Sequence, residues 1–295
     1  KPGKMYRLNI SSCLAQDEVW AAKGHEVAFE QFELSDWNVP ALPAVKPSGN
    51  VSLSDTDGMI IASGAGFSYT FDSKTGALVS MEIGGEKMLE SPLKLNLWRA
   101  PISNELDGWN SYSSSTALAN ARTGYGAVGH SMVLATIYYS AGLDNLYFKP
   151  TEVNAREVDG TVYVDVRELV LFGASEQQLD AYIFGRSTAG IESMYSYRID
   201  ADGSITIHHK LNPQGEMPAW FPRIGVAMEL AGSLTNVEWY GRGPEASYPD
   251  RKTGYRIGIY KSTVDEMYEP YAIPQDYGLR MDNRWVRFTN EAGKG

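Results

Sequence analysis

From Val51 onward the sequence repeats one pattern: a short run alternating apolar and polar residues, a turn rich in Asp, Gly or Ser, and another such run. Phe67-Ser-Tyr-Thr-Phe, Asp72-Ser-Lys-Thr-Gly76 and Leu78-Val-Ser-Met-Glu-Ile form the clearest strand, turn and strand. Neighbouring side chains on a strand point to opposite faces, so this alternation gives each strand one apolar face, and Gly76 can supply the positive φ a tight reversal demands. Gly84-Gly85 marks the next reversal. Thr161 to Arg167, Ser193 to Ile199, the Asp200-Ala-Asp-Gly203 turn, Ser204 to Lys210 and Ile224 to Leu230 continue the pattern. Strands joined by short turns pair antiparallel, and two such sheets cover each other's apolar faces, so an all-β antiparallel sandwich is expected. Strand–helix–strand alternation is absent, which excludes a TIM barrel or a doubly wound sheet. One helix is expected from His130 to Ala141, where Met132, Leu134, Ile137 and Tyr138 fall near one face and Gly142 can cap the end.

With 295 residues the chain is long enough for one large β domain or two smaller ones. Its 36 acidic and 26 basic residues leave a formal charge of −10, which argues against a nucleic acid or an anionic membrane as partner. A neutral, hydroxyl-rich ligand is compatible, and 18 Tyr with 7 Trp would suit one, although cores and interfaces use the same residues. Cys13 is alone, so no intrachain disulfide forms; on a strand-like segment it is expected to be a small buried hydrophobe. One cysteine fits cytoplasm or periplasm equally. Cys and His show no metal-ligand spacing, so neither a metal nor a cofactor is expected in this chain. No apolar run approaches the roughly 20 residues of a membrane span, and the Lys-Pro-Gly start is not a signal peptide.

Tyr6 to Ser11 and Glu26 to Leu34 alternate as two strands joined by a turn around Lys23-Gly24. Ser35 to Ser52, with Pro40, Pro43, Pro47 and Gly49, reads as an extended linker. The expected organisation is therefore 1–36, a linker 37–50, and a large β domain 51–295. Trp239 to Gly295 is different in kind. Pro244, Pro249, Pro270 and Pro274 fix φ there, and Arg242, Arg251, Arg280, Arg284 and Arg287 lie among Asp250, Asp265, Asp276 and Asp282. Largely irregular backbone held by guanidinium–carboxylate pairs is expected. Trp98, Trp220, Trp239 and Trp285 each adjoin Arg, Pro or Gly, where core packing or cation–π stacking outweighs a ligand platform.

After Pro101 the strand pattern stops, and a small, polar run continues through a Ser-rich tract to about Gly129, which in a compact domain signals function or disorder. Of the neighbours His208 and His209 only one can face a pocket, since adjacent strand residues point oppositely. Glu192 and Glu229 are expected to face solvent, and His25 to be a turn residue.

Trp-Tyr-Gly-Arg-Gly-Pro at 239–244, Tyr-Pro-Asp-Arg-Lys-Thr-Gly at 248–254, the Pro270-Tyr271 and Pro274-Gln275 spacing, Gly278-Leu-Arg-Met-Asp-Asn-Arg-Trp285 and the closing Ala-Gly-Lys-Gly carry a specific likeness. Leu95 to Gly108 and Lys23 to Leu34 extend it. Through these words the chain resembles, over nearly its whole length, the C-terminal small-chain domain of bacterial glycoside hydrolase family 2 β-galactosidases. The resemblance implies a galactose-mutarotase-like supersandwich, incomplete at its C-terminus, preceded by the end of an immunoglobulin-like sandwich. It implies Arg99, Arg242, Tyr248, Asp250, Arg251, Arg280, Asp282, Arg284 and Trp285 as structural motif residues. The loop after Pro101 would lie at the mouth of a sugar pocket, with Asn104, Glu105, Asp107 and Trp109 as sugar contacts; the alternative is that Arg99 and Asn104 hold a turn under a solvated flap. Retaining glycosidases need two carboxyl groups about 5 Å apart, and in the resembled family both stand on a catalytic barrel that also holds magnesium. This chain has neither motif, so no catalytic residue is expected here and the chain alone is expected to be inactive. The implied partners are that barrel, a β-galactoside through it, and further copies in a homo-oligomeric parent. The sequence departs from the family at Ala246, Ser103, Glu105 and Asp276-Tyr277, usually Glu, Asp, Asp and Glu-Asn. A stand-alone carbohydrate-binding module and an aldose epimerase using a His and a Glu are the competing functions.

Overall fold

A computed structural model of the chain describes residues 5–34, 49–106, 134–173, 189–272 and 275–295. The expected linker and the Ser-rich tract fall mostly outside these residues, as do Asp107, Trp109 and the first residues of the expected helix. The chain divides into two compact units, 1–46 and 47–295.

In the first unit β1 (Arg7–Cys13) pairs antiparallel with β2 (Glu26–Glu33), Leu8 opposite Phe32 and Ile10 opposite Glu30. Cys13 is exposed rather than buried. The reason is that this two-stranded ribbon leaves both faces largely open, with Leu8, Ile10 and Phe32 about half exposed.

The second unit is all-β, as the hairpin pattern requires. Strands β3 (Ser52–Thr56), β4 (Met59–Gly64), β5 (Phe67–Asp72), β6 (Leu78–Ile83) and β7 (Glu86–Lys87) form a five-stranded meander. Strand β8 (Leu89–Asn96) leads to the one-turn helix α1 (Ser103–Leu106) and then to α2 (Leu134–Ser140). Next come β9 (Leu146–Val158), β10 (Thr161–Phe172), β11 (Gly190–Ile199) and β12 (Ile205–Gln214), a four-stranded sheet ordered β12-β11-β10-β9. Strand β13 (Gly225–Leu230) returns to pair with β8. Finally β14 (Asn236–Gly243) is flanked by β15 (Arg256–Thr263) and β16 (Trp285–Thr289). The last stretch, expected to be largely irregular, thus contains a three-stranded sheet whose strands are separated by irregular segments. Among the described residues every strand pair is antiparallel.

Alternation explains the core. Ile60, Ala62, Phe67, Tyr69, Phe71 and Leu78 of the five-stranded sheet pack on Val162, Val164, Val166, Tyr195, Tyr197 and Ile199 of the four-stranded one. Each is nearly inaccessible, and burial of each large one stabilises by about 1.5–3 kcal/mol. Leu95, Leu97, Val170, Phe172 and Ile191 continue the interior as a second cluster, closed by Tyr138 of α2 and Leu143.

Local chemistry makes the turns. Asp72 accepts hydrogen bonds from the Lys74 and Thr75 amides at 3.0 and 2.7 Å and from the Thr75 hydroxyl at 2.8 Å. Gly76 then takes φ +70°, with Val166 against the side where a Cβ would stand. At the end of α2 the Leu143 amide bonds the Tyr138 carbonyl and the Gly142 amide bonds Tyr139, a Schellman closure with Gly142 at φ +72°. Helix α2 falls within the span expected to be helical, His130 to Ala141.

Candidate functional site

Past β8 the chain turns through Trp98 and Arg99 into α1, and one carboxylate holds the turn. Glu105 accepts two bonds from the Arg99 guanidinium, at 2.7 and 2.8 Å. It also takes the Ile102 amide at 2.9 Å and the Tyr138 hydroxyl at 3.1 Å. The Glu105 amide in turn reaches the Ile102 carbonyl, so Glu105 sits three residues into a single helical turn and reaches back to its start, half of a capping box. Burial works against the Arg99 cation, but the bonds and charge of Glu105 outweigh it and lift its pKa above the arginine norm. Burial, with the neighbouring Glu105 charge, pushes the Tyr138 hydroxyl up to about 12.

This turn meets the C-terminal stretch across a polar cleft of about 210 Å³. The Ser103 amide and hydroxyl both donate to Gln275 Oε1 at 3.0 Å. Asp276 accepts from the buried Tyr248 hydroxyl at 2.6 Å and lies 3.9 Å from Arg223. Burial first, then the Asp276 carboxylate, raises the Tyr248 pKa. Ser247 anchors the far wall: its amide bonds the Leu279 carbonyl and its hydroxyl accepts from the Met281 amide. Arg251 lies over the Tyr248 ring, 5.1 Å from its centroid, and donates to the Tyr271 hydroxyl at 3.3 Å; that hydroxyl donates to Glu269 at 2.7 Å. Asp250 lines the same cleft. The result is a rigid rim of amide, hydroxyl, guanidinium and carboxylate groups, which suits a neutral, hydroxyl-bearing ligand.

Of the residues singled out by sequence, Arg99, Glu105, Tyr248, Asp250 and Arg251 come together here. Asn104 lies within α1, while Asp107 and Trp109 lie outside the described residues. Glu105, expected as a sugar contact, is a buried residue whose carboxylate is bonded by Arg99, Ile102 and Tyr138. Arg242, Arg280, Asp282, Arg284 and Trp285 form a separate cluster. Arg242 donates to Asp282 at 2.5 Å and to the Lys252 and Tyr255 carbonyls at 2.8 and 2.7 Å. Arg280 bonds the Pro244 carbonyl and lies over Trp239, and Arg284 bonds the Asp282 carbonyl and lies over Tyr240. Guanidinium–carboxylate pairing was the expectation. Arg242 meets it, whereas Arg251 and Arg280 are held mainly by rings, a hydroxyl and a carbonyl, which are easier to bury than a second charge. Trp239 is buried, and Trp285 is partly exposed beside Tyr240.

Tyr271 and Gln275 are the rim residues that sequence reasoning did not single out as a site. Their signal was present in the Pro270-Tyr271 and Pro274-Gln275 pairs, which stood out only as spacing. Three of the departures, Ser103, Glu105 and Asp276, fall on this one site, and Ala246 is buried two residues from Tyr248.

Elsewhere, His208 is exposed and its neighbour His209 faces inward, as opposite strand faces require. Glu229 is exposed and accepts from Ser91. Glu192, expected to face solvent, is half-buried and accepts from Asn212 across the β11–β12 pair. His25 is exposed in its turn, edge-on to Trp20. Among the described residues, no group of three His, Cys, Asp or Glu could hold a metal ion, and no helix is long and apolar enough to cross a membrane.

A family model described as beta-galactosidase small chain matches residues 63–294, and one described as beta-galactosidase, domain 4, matches residues 1–35. The chain is 27% identical over 293 residues to a β-galactosidase of Priestia megaterium, covering 98% of this chain and 24% of that protein. It is 31% identical over 291 residues to one of Psychromonas ingrahamii, covering 96% of this chain and 25% of that protein. For one of Vibrio cholerae the figures are 26% over 286 residues, 97% and 25%. The chain thus spans about a quarter of the length of these relatives.

Proposed function

The chain belongs to the β-galactosidase small-chain family, and we propose that it is the non-catalytic C-terminal part of a glycoside hydrolase family 2 enzyme that hydrolyses terminal β-D-galactosides with retention. In that role it buttresses the catalytic barrel and lends the turn from Arg99 to Leu106, with the loop that follows, to the edge of the sugar pocket. The nucleophile, the acid/base and any magnesium belong to the barrel.

The observation that carries this is the Arg99–Glu105 clamp, which fixes a polar rim on a β scaffold. A rim already held in place loses little conformational entropy when it receives a ligand. The four bonds into Glu105 make it a positioning residue in this proposal. The groups proposed to meet a sugar hydroxyl are those of Ser103, Gln275 and Asp250 on the rim, together with the sequence-named Asn104, Asp107 and Trp109.

Exchanging the matching quarter of the Psychromonas ingrahamii β-galactosidase for this chain tests the proposal. The chimera is expected to hydrolyse o-nitrophenyl β-galactoside, and Asn104→Ala or Trp109→Ala is expected to raise KM severalfold with kcat little changed, the signature of lost uniform binding. A folded but inactive chimera, or one indifferent to both substitutions, would contradict it.

A further inference from the structure

The two faces of the three-stranded sheet β15-β14-β16 differ. Val237, Trp239, Gly241 and Gly243 of β14 point inward and are buried. Their neighbours Glu238 and Tyr240 point the other way, and the strand register sets what lies beside them. Ile259 of β15 and Trp285 of β16 flank Tyr240; Lys261 and Arg287 flank Glu238. Directly opposed residues of an antiparallel pair share a face. The outer face therefore carries an apolar row, Ile259-Tyr240-Trp285, next to a charged row, Lys261-Glu238-Arg287. With strands about 4.8 Å apart and about 3.4 Å of rise per residue, each row spans roughly 10 Å and the two stand roughly 7 Å from each other.

Both rows are accessible. Ile259 is 63% and Trp285 42% exposed, and with the half-buried Tyr240 between them they make a contiguous patch rather than scattered apolar residues. The Tyr240 and Trp285 rings are 6.4 Å apart, and the Arg284 guanidinium lies 5.9 Å from the Tyr240 centroid. Glu238, Lys261 and Arg287 line an open hollow of about 310 Å³, together with Asn236 and Thr289. Lys261 Nζ stands 3.3 Å from Glu238 Oε1, so Glu238 already has its counter-ion. Arg287 is exposed and joins no ion pair among the described residues, which leaves the hollow one cation in excess. On a chain of formal charge −10 this excess is a local feature.

We propose that this face binds a carboxylate-bearing polysaccharide, a polyuronate, with its pyranose rings on the apolar row and a carboxylate in the charged hollow. A linear pyranose chain repeats at close to the strand spacing, so successive rings lie over Ile259, Tyr240 and Trp285 and give each a C–H face. A carboxylate at the ring edge comes within reach of the Arg287 side chain, whose planar fork matches it with two parallel hydrogen bonds. Glu238 and Lys261 meet ring hydroxyls. A protein partner fits less well, because it would press Lys261, Glu238 and Arg287 into the centre of a dry contact, where such charges are depleted. A glycan lying along the rows leaves those side chains wet on one side. The surface shares no residue with the rim at Ser103 and Gln275.

Isothermal titration of the whole 295-residue chain, at low ionic strength, with a linear galacturonate oligomer and with a neutral β-1,4-linked galactose oligomer of equal length tests this. The uronate oligomer is expected to bind in the submillimolar range, and the neutral one roughly tenfold more weakly for want of the charged hydrogen bonds. Trp285→Ala and Arg287→Gln, both on exposed side chains, are each expected to weaken uronate binding roughly fivefold or more. Arg287→Gln is also expected to abolish the preference over the neutral oligomer, while Gln275→Ala leaves binding unchanged. Absence of uronate binding would overturn the proposal, as would equal affinity for the two oligomers. Binding that either Trp285→Ala or Arg287→Gln leaves untouched, or that only Gln275→Ala removes, would overturn it too. So would a dimer in sedimentation, abolished by Trp285→Ala and formed without uronate binding, since a second copy would then cover the face.

Discussion

Arg99 and Glu105 are joined by two parallel hydrogen bonds, with only 11% and 8% of their side chains exposed. Removing one member of such a pair leaves a buried charge without a partner, whereas replacing both with apolar residues of like volume is close to neutral. Glu105→Ala is therefore expected to lower the unfolding free energy by about 3–5 kcal/mol. The double variant Arg99→Met, Glu105→Leu is expected to recover most of that loss. Urea denaturation of the three proteins checks both statements, and equal losses in the single and double variants would show that the pair does not act as a unit.

Glu168 and His209, which both contact the buried Ser193 hydroxyl, make stability depend on pH in two directions. Glu168 is raised above its ordinary 4.5 by burial, so the folded chain holds a proton that the unfolded chain has released. Its contribution is complete below 4.5 and is lost as pH rises through the raised folded value. His209 is lowered from 6.5 by burial; its contribution is present above 6.5 and is lost as pH falls through the lowered folded value. Glu168→Gln keeps the shape and removes the titration. It is expected to raise Tm at neutral pH and to flatten the decline above 4.5. A Tm-against-pH curve of unchanged slope would assign that decline to other groups.

Gly142 is needed twice over, for φ +72° and because a Cβ would stand 2.3 Å from the Gly173 backbone. Gly142→Ala is expected to cost roughly 2–4 kcal/mol, combining left-handed strain with backbone displacement. Gly84, at φ +60° with nothing within 4 Å of a Cβ, is the control, and Gly84→Ala is expected to cost only about 1–2 kcal/mol. Chemical denaturation of the two variants separates space from dihedral strain.

What the sequence made legible was local. The Asp72 to Gly76 reversal could be placed to the residue because Asp72 bonds amides two and three positions away, and Gly142 could be named as a helix end for the same kind of reason. Alternation reported which residues share a face but not whether anything covers that face, so Cys13 was expected inside and is exposed. It also could not show that Glu168 and Ser193 are opposite each other, since strand register is a long-range fact. The rim was visible only in part. Arg99 and Tyr248 stood in recognisable words, whereas Gln275 bonds Ser103 across 172 residues of sequence, and no local rule reaches that far.

Hydrolysis of o-nitrophenyl β-galactoside by the purified chain, made in a host without its own β-galactosidase, bears most directly on the proposed accessory role. With the acid/base and nucleophile assigned to another domain, the expected rate is that of the buffer and the empty-vector preparation. Turnover well above that background and proportional to the concentration of this chain would contradict it.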